Sequence, residues 1–248
     1  MDYCSDDDSF YSVTSNTSTD SYHSVVGLDE QLKIEFSSGK KNFNLCHINA
    51  QSVPAHYADL LNTFSSPEVV DAILISESWL KPSLPSTSYS LSGYILIRND
   101  RTGSNGGGVA IYLRANLPYK RISSSSNQYT ASAEYLFIEV NFTGSQVLVG
   151  VVYCPPTVNY FSVLEGVLEE VVPFYNHHVI MGDLNTCLLD DRGSGRSRAC
   201  KLLNIASSVN LSVLPSGPTH HLPTSNTLLD LILTSRPDMV ASHGQLLA

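Results

Sequence analysis

From residue 42 onward, short apolar runs alternate with turns. "FNLCHIN" (43–49) and "VVDAILISE" (69–77) predict strands by their length and β-branching. Between them, "YADLLNTF" (57–64) spaces Tyr57, Leu60, Leu61 and Phe64 as one face of a helix. "YILIRND" (94–100) and "GGGVAIYLR" (106–114) bracket a glycine-rich turn and predict a hairpin. "AEYLFIEVNF" (133–142) and "SQVLVGVVYC" (145–154) predict a second one, turning at Gly144. Helical spacing returns in "SVLEGVLEEVVPFY" (162–175) and "KLLNIASSVN" (201–210), with a buried strand through "HHVIMGD" between them. The short run "LSVL" (211–214) and a strand in "TLLDLILTS" (227–235) close the series. Strand pairs alternating with helices, without an internal repeat, predict an α/β protein: two sheets packed face to face with helices outside. Residues 1–40 are rich in Ser, Thr, Asp and Tyr and lack periodicity, so a disordered acidic tail is expected there and one domain over 41–248.

Several of these strands end in a polar group. In "HHVIMGDLNTCLLDD" (177–191) the apolar run stops at Gly182, and Asp183 and Asn185 follow with Leu184 between them. Along an extended chain residues two apart face the same side, so Asp183 and Asn185 would share a face while Leu184 enters the core. Gly182 suits a close backbone approach or an unusual dihedral. A plain turn after a strand is the competing reading. Asn49 closes "CHIN", Glu77 closes "AILIS", and Tyr153 closes "VLVGVVY" before Cys154-Pro155-Pro156. Asp230 lies inside the apolar run "LLDLIL", where an ionised carboxylate needs a partner or a metal. Taken singly, Asn49 reads as a loop cap, Glu77 as an N-cap partner and Tyr153 as ordinary strand packing. Taken together, Asn, Asp and Glu oxygens suit a hard cation such as Mg²⁺, and sites assembled at strand ends are general in α/β enzymes. His47, His177 and His178 are read as strand residues.

Charge and composition narrow the partners. Of the net charge of −9, seven negative charges fall within residues 1–30, which contain no Lys or Arg, leaving −2 for the rest. A general nucleic-acid-binding coat is therefore not expected. The local stretch "RGSGRSRACK" (192–201) is different: Arg192, Arg196, Arg198 and Lys201 predict a basic, adaptable loop able to grip a phosphate backbone. A merely solvated loop is the alternative. The five cysteines are widely spaced without a CxxC, which argues against a disulfide framework or a zinc site and for a reducing, intracellular compartment. The apolar runs are too short to span a bilayer, so no membrane association is expected.

The order "HINAQS", "ISESWL", "GGGVAIYLR", "VVYCPP", "MGDLN", "GPTH", "LLDLILTS" resembles the endonuclease/exonuclease/phosphatase superfamily. More narrowly, it is similar to the apurinic-type endonuclease domain of non-LTR (LINE-type) retrotransposons, from about Asn42 to the end. The resemblance implies a four-layer α/β sandwich that hydrolyses a DNA phosphodiester with Mg²⁺ or Mn²⁺. It implies Glu77 as a metal ligand, Asn49 supporting the metal and the attacking water, and Tyr153 bonding a phosphate oxygen near the leaving group. Asp183 would handle a proton or orient the nucleophile, Asn185 would stabilise the transition state, Asp230 would complete the acidic cluster at the metal, and His220 would support the site. A nuclear place of action and a reverse transcriptase region in a parent polyprotein are implied as well. One departure stands out. The family closes on an Asp-His pair in a last strand, whereas here the histidine nearest the end is His243 in "ASHGQLLA", expected in a loop before that strand. The chain is accordingly expected to stop short of that motif, so a catalytically inactive relic or binding module is an alternative. A metal-dependent phosphatase of the same superfamily is another.

Overall fold

The computed structural model describes residues 10–16, 28–36, 42–64, 69–222 and 225–247. In chain order the strands are β1 (Phe10–Asn16), β2 (Phe43–Asn49), β3 (Ala72–Ser76), β4 (Tyr94–Asn99), β5 (Val109–Arg114), β6 (Tyr119–Ser124) and β7 (Glu134–Phe142). They continue with β8 (Ser145–Tyr153), β9 (His177–Asp183), β10 (Ser212–Val213), β11 (His220–Leu222), β12 (Ser225–Thr227), β13 (Asp230–Thr234) and β14 (Val240–Leu247). The α-helices are α1 (Leu28–Glu35), α2 (Val53–Thr63), α3 (Phe161–Val171) and α4 (Gly193–Ser208). One six-stranded sheet runs β14-β1-β2-β3-β5-β4, a second runs β10-β13-β9-β8-β7-β6, and β11-β12 form a separate ribbon. Both large sheets are mixed: β1, β2 and β3 are parallel neighbours in the first, β8 and β9 in the second.

Strand alternation builds the four layers. In β2, Phe43 and Leu45 face the other sheet, where they meet Leu136, Ile138, Val149, Val151 and Met181. Cys46 and Ile48, on the alternate positions of the strand, point outward, against Val53 and Leu60 of α2. On the far side, Phe137, Leu148, Val152 and Ile180 pack under Leu164, Leu168, Leu202 and Ile205 of α3 and α4. This is the predicted two-sheet sandwich with helices outside.

Some boundaries differ from the sequence reading. α2 begins four residues before the apolar spacing does, because Ser52 caps it: its Oγ accepts the Ala55 N–H at 3.2 Å, a bond worth ~1 kcal/mol, and Pro54 suits the first turn. β6, a polar strand, carried no apolar signal and is made by pairing with β7. Within the stretch expected to be a tail, β1 lies between β14 and β2, and Leu32 of α1 and Phe36 pack on the outer core beside α2. The rest of residues 1–40 lies outside the described residues. His243 is not in a loop but in β14, exposed, and opposite Ser12 of β1.

Candidate active site

Three strands of the second sheet bring their polar ends side by side. Tyr153, the last residue of β8, pairs in register with Asp183, the last of β9. Asp183 in turn pairs with Asp230, which opens β13 rather than lying inside a strand as predicted. Asn49, the last residue of β2 in the other sheet, reaches across the sandwich: its Nδ2 donates to Asp183 Oδ2 at 2.7 Å. Asn49 also pairs with Ser76, so Glu77 emerges beside it at the end of β3. Asn49, Glu77, Tyr153, Asp183 and Asp230 thus stand at one end of both sheets.

Backbone strain and glycine space shape this end. A Cβ at Gly182 would stand 1.8 Å from the Val152 carbonyl oxygen, so the glycine serves close approach between β8 and β9. Asp183 and Asn185 are not joined by strand alternation, because the strand ends at Asp183 and Asn185 has φ +43°. A turn brings them together instead, in which the Asn185 N–H donates to Asp183 Oδ1 at 3.0 Å. Leu184 is buried as expected. Glu77 (φ +51°) and Trp79 (φ +52°) are also left-handed, a conformation costing ~1–3 kcal/mol in a non-glycine residue. Backbone bonds hold them there: the Ser52 N–H reaches the Glu77 carbonyl at 3.0 Å and the Trp79 N–H reaches the Gly107 carbonyl at 2.8 Å.

The electrostatics separate the acids. Burial, then the Glu77 charge, pushes Asp183 up to about 6, against hydrogen bonds from the Asn185 backbone and from the Asn49 and Asn185 side chains that favour its ionised form. Burial and neighbouring Asp183 push Asp230 further, to about 8. Asp230 faces His47, with Oδ1 and Nδ1 3.6 Å apart, and burial lowers His47 to about 3. The distance alone suggests an ion pair, but both shifts favour uncharged forms, so we read this as contact between a neutral imidazole and a protonated carboxyl. Tyr153 is held well above the usual phenol range, first by burial and then by the Glu77 and Asp183 carboxylates, with Arg101 opposing. It therefore stays a hydrogen-bond donor at neutral pH.

A cation would find oxygen donors here. Asn49 Oδ1 is buried without a hydrogen-bond partner among the described residues, and Glu77 accepts the Trp79 indole N–H through Oε2 at 3.0 Å as well as a hydrogen bond from the Tyr153 hydroxyl. Among the described residues no three His, Cys, Asp or Glu side chains cluster to hold a metal. The donor set therefore fits a hard cation that keeps several waters and takes one carboxylate and a carbonyl oxygen, as Mg²⁺ does. Asp230 does not join this set in the structure, being turned toward His47.

The remaining predicted residues are more dispersed. His220 opens β11, half-buried and opposite Thr227. Its neighbour Thr219, which the sequence reading passed over, supports the site: its Oγ1 accepts the N–H groups of Leu229 and Asp230, both at 3.0 Å. Arg192 stands at the N-cap of α4, and Arg196, Arg198 and Lys201 lie within the helix rather than in a loop. Arg192, Arg196 and Lys201 are exposed, Lys201 lying over the Phe161 ring, whereas Arg198 is half-buried over the Tyr160 and Phe161 rings. Two further site residues were missed altogether. Arg101 is buried, bonds Glu134 through Nε, and lies 5.7 Å from the Tyr153 ring centre. Glu134 also accepts the Gly108 N–H at 2.6 Å. Their only sequence signal was charge inside otherwise apolar hairpins.

An acid–amide cluster thus closes one end of a two-sheet α/β sandwich. The chain belongs to the endonuclease/exonuclease/phosphatase family, whose model matches residues 42–247. Members of this family generally depend on a divalent metal. No curated protein matches the chain. Among solved structures it is similar to the endonuclease domain of TRAS1, a telomere-specific non-LTR retrotransposon, at 16% identity over 80% of this chain and 92% of that one, with a TM-score of 0.60. It is also similar to the 3′ phosphatase NExo from Neisseria bound to a product DNA hairpin, at 15% identity over 80% and 88%, TM-score 0.56. A third is the mannosyl-6-phosphatase Bt3783 of Bacteroides thetaiotaomicron, at 15% identity over 74% and 77%, TM-score 0.51. At such identities these likenesses speak for the fold and leave the substrate open.

Proposed function

We propose that the chain is a Mg²⁺-dependent endonuclease that hydrolyses a DNA phosphodiester, of the kind retrotransposons use to nick a target. The observation that carries this reading is the Asn49–Asp183 hydrogen bond, which locks the ends of the two sheets into one site beside Glu77 and Tyr153. Glu77 and Asn49 Oδ1 would hold the cation. Once bound, the cation would neutralise charge on the phosphate and make a bound water more acidic. Asp183, ionised at neutral pH with Asn49 and Asn185 holding its two oxygens, orients the attacking water and takes its proton. The water oxygen bonds to phosphorus while the bond from phosphorus to the 3′-oxygen breaks. The Tyr153 hydroxyl donates to a phosphate oxygen near that leaving group, and Asn185 stabilises the charge that develops. Asp230 keeps its proton and backs the cluster from the His47 side.

The reading is tested with supercoiled plasmid and Mg²⁺. Wild type is expected to give nicked circles that ligase reseals, and Glu77→Ala and chelator are each expected to abolish nicking. Relaxation by Glu77→Ala at the wild-type rate would refute the assignment. An intact plasmid together with phosphate release from a sugar phosphate would point to a phosphatase instead.

A further inference from the structure

We infer that Trp79 is a stacking platform for an unpaired nucleobase beside the phosphate that Glu77 serves, so that the substrate presents a base and not only a phosphate to the site. The inference rests on the nucleic-acid reading above and specifies what that substrate must carry. Trp79 is the chain's single tryptophan, and it is left 40% exposed. It is also held in place. Its backbone is left-handed, its N–H is bound to the Gly107 carbonyl at 2.8 Å, and its indole N–H is bound to Glu77 Oε2 at 3.0 Å.

The surroundings leave the ring room and fix its position. Ser78, buried, precedes it and donates its backbone N–H to the Gly108 carbonyl at 3.0 Å, so the tripeptide 77–79 is clamped against the glycine run 106–108. A Cβ at Gly106 would come 3.5 Å from the indole nitrogen, which places this glycine directly against the polar edge of the ring. With that edge committed to Glu77, the ring is a rigid apolar plate one hydrogen bond from the carboxylate proposed to hold the cation. The indole N–H fixes the ring against Glu77, and the residue nevertheless keeps 40% of its surface open to solvent. Every base offers a π-face to such a plate, and stacking tolerates any sequence. A sugar phosphate or inorganic phosphate offers none.

The full chain carrying Glu77→Gln removes turnover and keeps an oxygen to accept the indole N–H. Two single-stranded decamers of equal charge are compared, one bearing adenines and one bearing abasic tetrahydrofuran at every position, with Trp79 fluorescence as the readout. The adenine decamer is expected to quench Trp79 and the abasic one to bind with little quenching. Equal quenching by both would overturn the stacking role while leaving the nuclease reading intact. Absence of any response to either would also overturn it, and plasmid nicking by wild type then judges the nuclease reading separately. In a second measurement, anisotropy of a labelled adenine decamer, Trp79→Phe keeps a ring and is expected to bind within about 2-fold of the parent. Trp79→Leu is expected to lose about 5- to 150-fold, the equivalent of ~1–3 kcal/mol for one stacked base. Equal affinity of the Phe and Leu variants, each folded by circular dichroism, would count decisively against stacking.

Discussion

Asn49→Ala cuts a side-chain bond that joins the two halves of the site. It removes the donor at 2.7 Å from Asp183 Oδ2 and leaves the Asn185 amide at 3.0 Å on the other oxygen. A hydrogen bond to a charged group contributes ~1.5–3 kcal/mol. One pKa unit corresponds to about 1.36 kcal/mol, so losing the donor should raise the Asp183 pKa by ~1–2 units above its value of about 6. Because burial already raises this carboxyl above its unfolded value, its contribution to stability is present at low pH and is lost as pH rises through the folded pKa. The variant adds to that loss only where Asp183 is ionised. Wild type and variant should therefore be nearly equal near pH ~4, where both carry the proton, and differ by ~1.5–3 kcal/mol near pH ~9. Urea unfolding at the two pH values measures this. In plasmid nicking, the acid limb of the single-turnover rate profile should move up by the same ~1–2 units. Loss of Asn49 Oδ1 lowers the whole profile, so the position of the limb is diagnostic and its height is not. An unmoved limb together with a destabilisation independent of pH would refute the idea that Asn49 keeps Asp183 ionised.

Three further outcomes are expected. Gly182→Ala, whose Cβ would lie 1.8 Å from the Val152 carbonyl, must push β8 from β9 and should cost ~3 kcal/mol or more in denaturant unfolding; a loss under ~1 kcal/mol would show that the strands yield. Asp230→Asn removes a carboxyl whose folded pKa of about 8 lies above the ordinary 3.8, so wild type should lose stability relative to the variant by up to ~1.4 kcal/mol per unit as pH rises from about 4 to 8. A gap that stays constant with pH would mean that Asp230 ionises normally. Replacing Arg192, Arg196, Arg198 and Lys201 with Ala should weaken DNA binding and flatten its salt dependence by nearly ~1 unit of slope for each phosphate no longer neutralised. Because Arg198 is half-buried over the Tyr160 and Phe161 rings whereas Arg192, Arg196 and Lys201 are exposed, Arg198 should contribute least to the change.

Much of the architecture was legible in local pattern. Alternation in 43–49 separates Phe43 and Leu45 from Cys46 and Ile48 onto the two faces of β2, and the glycine turns mark both hairpins. These signals are local because side-chain direction along a strand depends only on neighbouring residues. The polar strand ends at Asn49, Glu77, Tyr153 and Asp183 could be read in the same way. What the sequence could not decide is which ends meet. Asn49 and Asp183 are 134 residues apart, and Arg101 and Glu134 are 33 apart. Asp230 faces Asp183 only because β13 begins where β9 stops. Such pairings follow from strand order and register, which the whole buried interior sets at once. Small-residue stretches were equally opaque. The Gly- and Ser-rich start of α4 carries weak helix propensity and is carried by a helix whose Ala199, Leu202, Ile205 and Ala206 bury against the second sheet. The Asp183–Asn185 turn arose where extended alternation had been expected, because a single backbone hydrogen bond to a buried carboxylate outweighs the strand habit once the ladder ends.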